Sequence, residues 1–129
     1  MLYLTQKTED APMQKVLIGY IKGDYAQILA EQLRKQYRVT VRHSGVGVLD
    51  ALRRLQPEIL IVFLGLPRTD GLTVLKKTRH TPPVILALSD LITDEIVEQA
   101  AAAGVKALIR TPCSVEYLAR RLEELQKQS

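Results

Sequence analysis

Ile59-Leu60-Ile61-Val62-Phe63-Leu64-Gly65-Leu66-Pro67-Arg68-Thr69-Asp70-Gly71-Leu72 joins an unbroken apolar run to a loop rich in turn-forming residues. The apolar run is of strand length, and such runs are typical of parallel strands that are covered on both faces. Gly65, Pro67 and Gly71 interrupt the run, and Asp70 is a residue type that caps helix amino ends. This stretch therefore predicts one strand–loop–helix unit of a parallel sheet.

The same alternation of short apolar runs and amphipathic stretches continues on both sides, from Lys15 onward. It predicts five strands, at residues 16–20, 38–42, 59–64, 84–88 and 106–109. Five helices are predicted between and after them, each with one buried apolar stripe. The stripes are Ile28, Leu29 and Leu33; Val48, Leu52 and Leu55; Leu72 and Leu75; Ile96, Val97 and Ala100; and Leu118, Leu122 and Leu125.

Polar and glycine residues at the predicted helix ends support these limits. Asp24, Asp70, Thr93 and Ser114 are predicted to begin helices, and Gly104 is predicted to end the fourth in a left-handed conformation. Because parallel crossovers are right-handed, five such units give an open doubly wound sheet or part of a barrel, and 129 residues are too few for the barrel. The fold class predicted is therefore α/β with an open parallel sheet.

Composition agrees with a single globular domain: 47% of the 129 residues are hydrophobic and 25% are charged. Residues 1–14 are expected to form a flexible amino-terminal segment, and residues 15–129 one domain. No apolar run has the length of a membrane span or of a secretory signal, so a cytoplasmic location is expected. A single cysteine, Cys113, excludes an internal disulfide. The net charge of +4 is too small to choose between a nucleic-acid and an acidic protein partner.

Residues 15–125 resemble the receiver domain of two-component response regulators. The residues that carry the resemblance are Pro67, Asp70 and Gly71 after the third strand, Pro83-Val84-Ile85 at the fourth, Ala103-Gly104 at the fourth helix exit, and Pro112, which in the family follows a cis peptide bond. The resemblance implies a flavodoxin-like fold with strand order 2-1-3-4-5, and a crevice at the carboxyl ends of the strands. In the family, that crevice binds Mg²⁺ and carries the phosphorylated aspartate.

The positions of the family's chemical groups hold other residue types here. The acidic pair falls on Tyr20 and Ile21, the phosphorylated aspartate on Phe63, the switch hydroxyl on Leu88 and the phosphate-binding lysine on Thr111. Ser89 would restore a hydroxyl only if strand four were shifted by one residue or bulged. An aromatic ring cannot act as the nucleophile, and Mg²⁺ prefers oxygen ligands, so we expect no phosphorylation, no Mg²⁺ and no other cofactor.

Apolar residues are predicted to fill the crevice instead. If the alignment holds, Tyr20, Ile21, Phe63 and Leu88 converge there as a plug. Burying a Phe or Ile side chain is worth roughly 1.5 to 3 kcal/mol relative to exposure. Asp24 is interpreted as a helix cap and not as a metal ligand.

The sequence thus predicts a non-enzymatic pseudo-receiver that signals through protein contacts, independently of phosphorylation. Self-association through the fourth helix, fifth strand and fifth helix is one option implied by the resemblance, and an appended DNA-binding effector domain is another partner. Two alternatives stay open: a small-molecule sensor that uses the apolar crevice, and a phosphorylatable receiver. The residues proposed for the interaction face are Glu98, Lys106, Arg110, Glu116, Tyr117 and Arg120.

The remaining conspicuous residues have structural interpretations. Ser44-Gly45-Val46-Gly47 is interpreted as a strand-to-helix turn, His43 and His80 as solvated side chains, and Cys113 as a packing residue. Basic pairs on different helices are interpreted as solvated faces. They include Arg34-Lys35, Arg53-Arg54, Lys76-Lys77-Arg79 and Arg120-Arg121.

Overall fold

A computed structural model describes residues 13–128, and the five strands form one parallel sheet in the order β2-β1-β3-β4-β5. This confirms the predicted topology. The strands are β1 (Lys15–Gly19), β2 (Arg38–Arg42), β3 (Ile59–Phe63), β4 (Val84–Ser89) and β5 (Ala107–Arg110). The helices are α1 (Asp24–Leu33), α2 (Gly45–Leu55), α3 (Gly71–Lys77), α4 (Asp94–Ala102) and α5 (Val115–Gln128). The segment predicted to be flexible falls almost entirely on residues 1–12, which lie outside the described part.

The strand at the centre explains the unbroken apolar run. Every residue of β3 is buried, because β1 and β4 pair with its two edges and helices cover both faces. Predicted strand limits differ from the observed limits by at most one residue, with β2 matched at both ends. Such differences arise because the apolar pattern of the sequence does not mark the residue at which the hydrogen-bond ladder of a strand ends.

Helices cover the sheet in two layers. Helix α1 contacts α5, and α2 contacts α3, as the right-handed crossovers of this strand order require. Within residues 13–128, no helix has both the length and the apolar character needed to cross a bilayer.

Most predicted helix starts are confirmed. The side chains of Asp70, Thr93 and Ser114 accept hydrogen bonds from backbone amides three residues later, at 2.9, 3.2 and 3.0 Å. Asp24 begins α1 as predicted, but its interpretation as the cap is wrong, because the capping position is Gly23, which has no side chain. Asp24 instead places a negative charge in the first turn, where the helix dipole favours it.

Two residues assigned to buried stripes are exposed. Ile28 is 53% and Val97 47% exposed. In α1 the buried stripe is formed by Ala26, Leu29, Ala30 and Leu33, at the 3–4 residue spacing of one helix face, so Ile28 points away from it. Small alanines were the part of the stripe that the sequence analysis overlooked.

The amino end of α2 is joined to the loop after β3. The Gly45 and Val46 amides donate hydrogen bonds to the carbonyls of Pro67 and Arg68, at 2.9 and 3.0 Å. A Cβ atom on Gly45 would lie 1.7 Å from the Thr69 carbonyl oxygen. Gly45 therefore begins the helix itself, with Ser44 as its cap, and no larger residue fits without moving the loop.

Replacing Gly45 by alanine is expected to lower the free energy of unfolding by about 2 kcal/mol, the usual order for overpacking a closed contact. Urea denaturation followed by circular dichroism would measure the change. Gly47→Ala is the matched control in the same helix, because its nearest contact would be the Ser44 hydroxyl at 3.2 Å. If Gly45→Ala lowers the free energy of unfolding no more than the control does, the close contact between Gly45 and the loop after β3 is contradicted.

Candidate functional site

Three aromatic rings lie at the carboxyl ends of the two central strands. Gly19 pairs with Val62 across β1 and β3, so the next residues, Tyr20 and Phe63, lie side by side. Their ring centroids are 5.1 Å apart at an interplanar angle of 50°, and Tyr25 lies 5.1 Å from Tyr20 on the other side. These separations are those of favourable tilted aromatic pairs. We refer to Tyr20, Tyr25 and Phe63 as the aromatic cluster.

The Phe63 side chain packs into the interior at the end of β3. Its side chain is only 8% exposed. A Cβ atom on Gly65 would lie 2.8 Å from the Phe63 ring, so the ring folds back over this glycine. The end of β3 is therefore closed by packing.

Three of the four residues that were predicted to fill the crevice lie there. Tyr20 and Phe63 are in contact, and Leu88 is fully buried on β4 opposite Phe63 in the sheet register. Ile21 does not take part, because it is 42% exposed. The Tyr20 amide still donates to the Arg42 carbonyl, at 3.1 Å, and the chain turns outward only after it.

Tyr25 is the member of the site that the sequence analysis missed. Its hydroxyl lies 3.5 Å from the Cys113 sulfur, which links the first turn of α1 to the loop after β5. Cys113 is thus a packing residue with one polar contact. The position of Tyr25 in the sequence could have indicated this, because the first turn of a helix that follows a parallel strand lies at the same edge of the sheet as the crevice.

The environment of both tyrosines favours the neutral phenol. Burial raises the pKa of Tyr25, and the hydrogen bond and the charge of Cys113 raise it further. The pKa of Tyr20 is also raised, first by burial and then by the negative charges of Cys113 and Asp90. Neither group supplies an oxyanion near neutral pH.

The hydroxyl of Ser89 is already engaged. The register between β3 and β4 runs without a bulge from Ile59 with Val84 to Phe63 with Leu88, so Leu88 and not Ser89 lies opposite Phe63. Ser89 is buried, donates to the Leu91 carbonyl at 2.6 Å and accepts from the Leu91 amide at 3.2 Å. The one-residue shift considered from the sequence is not present.

Thr111 and His43 complete the edge of the crevice. Thr111 is half-buried, its amide donates to the Ser89 carbonyl at 3.0 Å, and the Thr111–Pro112 peptide bond is cis, as the resemblance implied. The interpretation of His43 as a solvated side chain is wrong. Its Nδ1 lies 2.9 Å from the Tyr20 carbonyl oxygen, so it joins the loop after β2 to the loop after β1.

The residues present do not fit Mg²⁺. A phenol at Tyr20, an exposed alkyl chain at Ile21 and a ring at Phe63 offer no carboxylate to a hard cation. Among residues 13–128, no group of three or more His, Cys, Asp or Glu side chains could hold a metal ion.

The six residues proposed for an interaction face are exposed: Glu98, Lys106, Arg110, Glu116, Tyr117 and Arg120. Arg120 lines a groove between α1 and α5, together with Lys35 and Glu123. It therefore lies on the side of α5 that faces α1. A partner for this face stays a prediction.

Two known regulatory proteins are similar to this chain in sequence. Response regulator MprA of Mycobacterium avium is 28% identical over 111 residues, which cover 79% of this chain and 48% of MprA. Transcriptional regulatory protein TrcR of Mycobacterium tuberculosis is 28% identical over 95 residues, 70% of this chain and 36% of that protein. The chain thus spans half or less of the length of these relatives.

A crystal structure of a CheY-like response regulator receiver domain protein from Methanospirillum hungatei has a TM-score of 0.82 at 17% identity, with 90% of this chain and 95% of that chain covered. No profile of a known protein family matches the sequence. The fold defines the class as a receiver-type α/β domain. The chain is therefore similar in sequence to response regulators and shares the fold of a CheY-like receiver domain.

The raised tyrosine pKa values predict a loss of stability in alkali. The unfolded chain releases its phenol protons near pH 10 while the folded chain retains them, so the free energy of unfolding falls as the pH rises through about 10. Urea denaturation at pH 9 and pH 11 should show a smaller loss for the double variant Tyr20→Phe/Tyr25→Phe than for the natural sequence.

The control is Tyr117→Phe, which removes an exposed phenol outside the aromatic cluster. It should reproduce the pH dependence of the natural sequence. Equal pH dependence for the double variant and this control would contradict the assignment.

Proposed function

We propose that the domain is a pseudo-receiver that signals without phosphorylation and without enzymatic activity. The observation that carries this proposal is Phe63: a buried ring, packed on Tyr20 and Gly65, occupies the end of β3. A receiver needs an ionised carboxylate there as nucleophile, and a ring offers neither charge nor lone pair.

The neighbouring residues support the same proposal. The switch position is the fully buried Leu88, and the adjacent Ser89 hydroxyl is engaged by Leu91 on both its donor and its acceptor side. Thr111 has no charge to attract a phosphoryl group. The domain is therefore expected to hold one conformation under conditions in which a phosphorylated relative would switch.

We propose further that this domain regulates through protein contacts in the cytoplasm. The relatives named response regulator and transcriptional regulatory protein are about two to three times longer than the matched region. An appended DNA-binding effector domain would account for such an output, and self-association through α4, β5 and α5 is a second route.

A small-molecule sensor is the alternative function. The crevice itself is filled by the aromatic cluster, which weakens the case for an apolar ligand there. An open groove of about 410 Å³ lies beside it, between α3 and α4, with Asp70, Lys76, Asp90 and Gln99 in its lining. Thermal-shift measurements with panels of small polar and apolar ligands would discriminate the sensor from the pseudo-receiver.

Adding beryllofluoride and Mg²⁺ should leave the amide NMR spectrum around Phe63 unchanged, because no carboxylate is present to bind the phosphoryl analogue. The measurement is a titration followed by ¹H–¹⁵N correlation spectra, with a receiver domain that retains its acidic residues as the positive control. Saturable shifts at Phe63, Leu88 and Ser89 would overturn the proposal.

Replacing Phe63 by aspartate should not recreate a receiver. It exchanges a buried ring for a carboxyl group, and we expect the free energy of unfolding to fall by about 3 to 5 kcal/mol. Phe63→Leu, the control, keeps an apolar side chain and should cost about half as much or less. A stable Phe63→Asp variant that binds Mg²⁺ would show that the remaining residues still form a receiver site.

A further inference from the structure

Two basic clusters that are far apart in the sequence line one groove. Arg53 lies in the last turn of α2, and Lys77 and Arg79 lie at and beyond the end of α3. These three side chains line a groove of about 310 Å³ between the two helices, together with Leu49, Asp50 and His80. We refer to this feature as the α2–α3 groove. Sequence reasoning had placed these residues on separate solvated faces.

Positive charge is concentrated at this groove. Arg54 lies at its edge, where it shares the Asp50 carboxylate with Arg53, at 3.0 and 2.8 Å. Four basic residues thus stand against one acidic residue, a local excess of three positive charges. Lys77 and Arg79 are exposed, and no hydrogen bond or ion pair within residues 13–128 engages their side chains.

Helix geometry accounts for only part of this arrangement. Basic residues in a last turn are favoured by the helix dipole, which explains Arg53, Arg54 and Lys77. Arg79 follows the end of α3 and gains little from that dipole, because the effect is confined to the terminal turn. Its side chain is exposed and makes no hydrogen bond or ion pair within residues 13–128, so it is free to contact an anion outside the chain.

We propose that the α2–α3 groove binds the phosphate backbone of a nucleic acid without reading its sequence. Guanidinium groups pair with phosphate oxygens in a two-pronged geometry, and backbone binding requires mainly charge. A protein partner fits less well, since the centre of a protein interface is enriched in Phe, Tyr and Trp, and the lining of the groove contains none of these residues.

Fluorescence anisotropy with a labelled 20-base-pair duplex would test this on the full chain. The association constant should fall about 40-fold between 50 and 200 mM salt, as expected for about three phosphate contacts. The double charge reversal Lys77→Glu/Arg79→Glu should weaken binding at least tenfold at 50 mM salt. Both residues are exposed, so a circular dichroism spectrum equal to that of the natural sequence is expected.

The matched control is Arg34→Glu/Lys35→Glu, which reverses two exposed charges near the end of α1 and changes the net charge equally. It should weaken binding less than threefold. Equal loss in both variants would mean that only net charge matters and would overturn the proposal, as would the absence of binding at 50 mM salt. Poly-glutamate that competes as well as unlabelled DNA at equal charge would also overturn it, in favour of an acidic protein partner. None of these outcomes depends on whether Phe63 prevents phosphorylation.

Discussion

Burial of β3 on both faces and along both edges is the constraint from which the rest of the molecule follows. A polar side chain on a fully buried strand would need a hydrogen-bond partner inside the protein. Each residue of β3 is instead apolar. In a receiver that takes phosphate, the last residue of this strand escapes the rule because a metal ion compensates its charge. In this chain Phe63 obeys the rule, and the end of the strand becomes part of the core.

The aromatic cluster then ties together loops that would otherwise be independent. Tyr20 follows β1, Tyr25 lies in the first turn of α1 and Phe63 ends β3. The Tyr25 hydroxyl reaches Cys113 after β5. His43 adds the loop after β2 through the Tyr20 carbonyl. The loops at this edge are thus held by packing between rings and by hydrogen bonds to backbone groups.

Sequence pattern predicted the sheet well because strand length, apolar runs and turn residues are local properties. It also identified which chemical groups were lacking, since residue type alone decides that Phe63 is not a nucleophile. It failed for Ile28 and Val97, because periodicity could not rank neighbouring apolar positions. It also failed for Ile21, which lies two residues past the end of β1, where the chain has already turned outward. Tyr25 was missed although its position in the first turn of α1 was a usable signal. The α2–α3 groove was out of reach, because it depends on side chains that separate elements bring together.

Gly65 lies beneath the Phe63 ring, and this contact couples the evolution of two positions. While residue 63 is aromatic, any side chain at residue 65 would collide with the ring. A descendant with a small acid at position 63 would have open space above residue 65, and only then could a larger residue fit there. Once it had, the return of an aromatic ring would be blocked, so the order in which the two substitutions occur would decide which form of the domain persists.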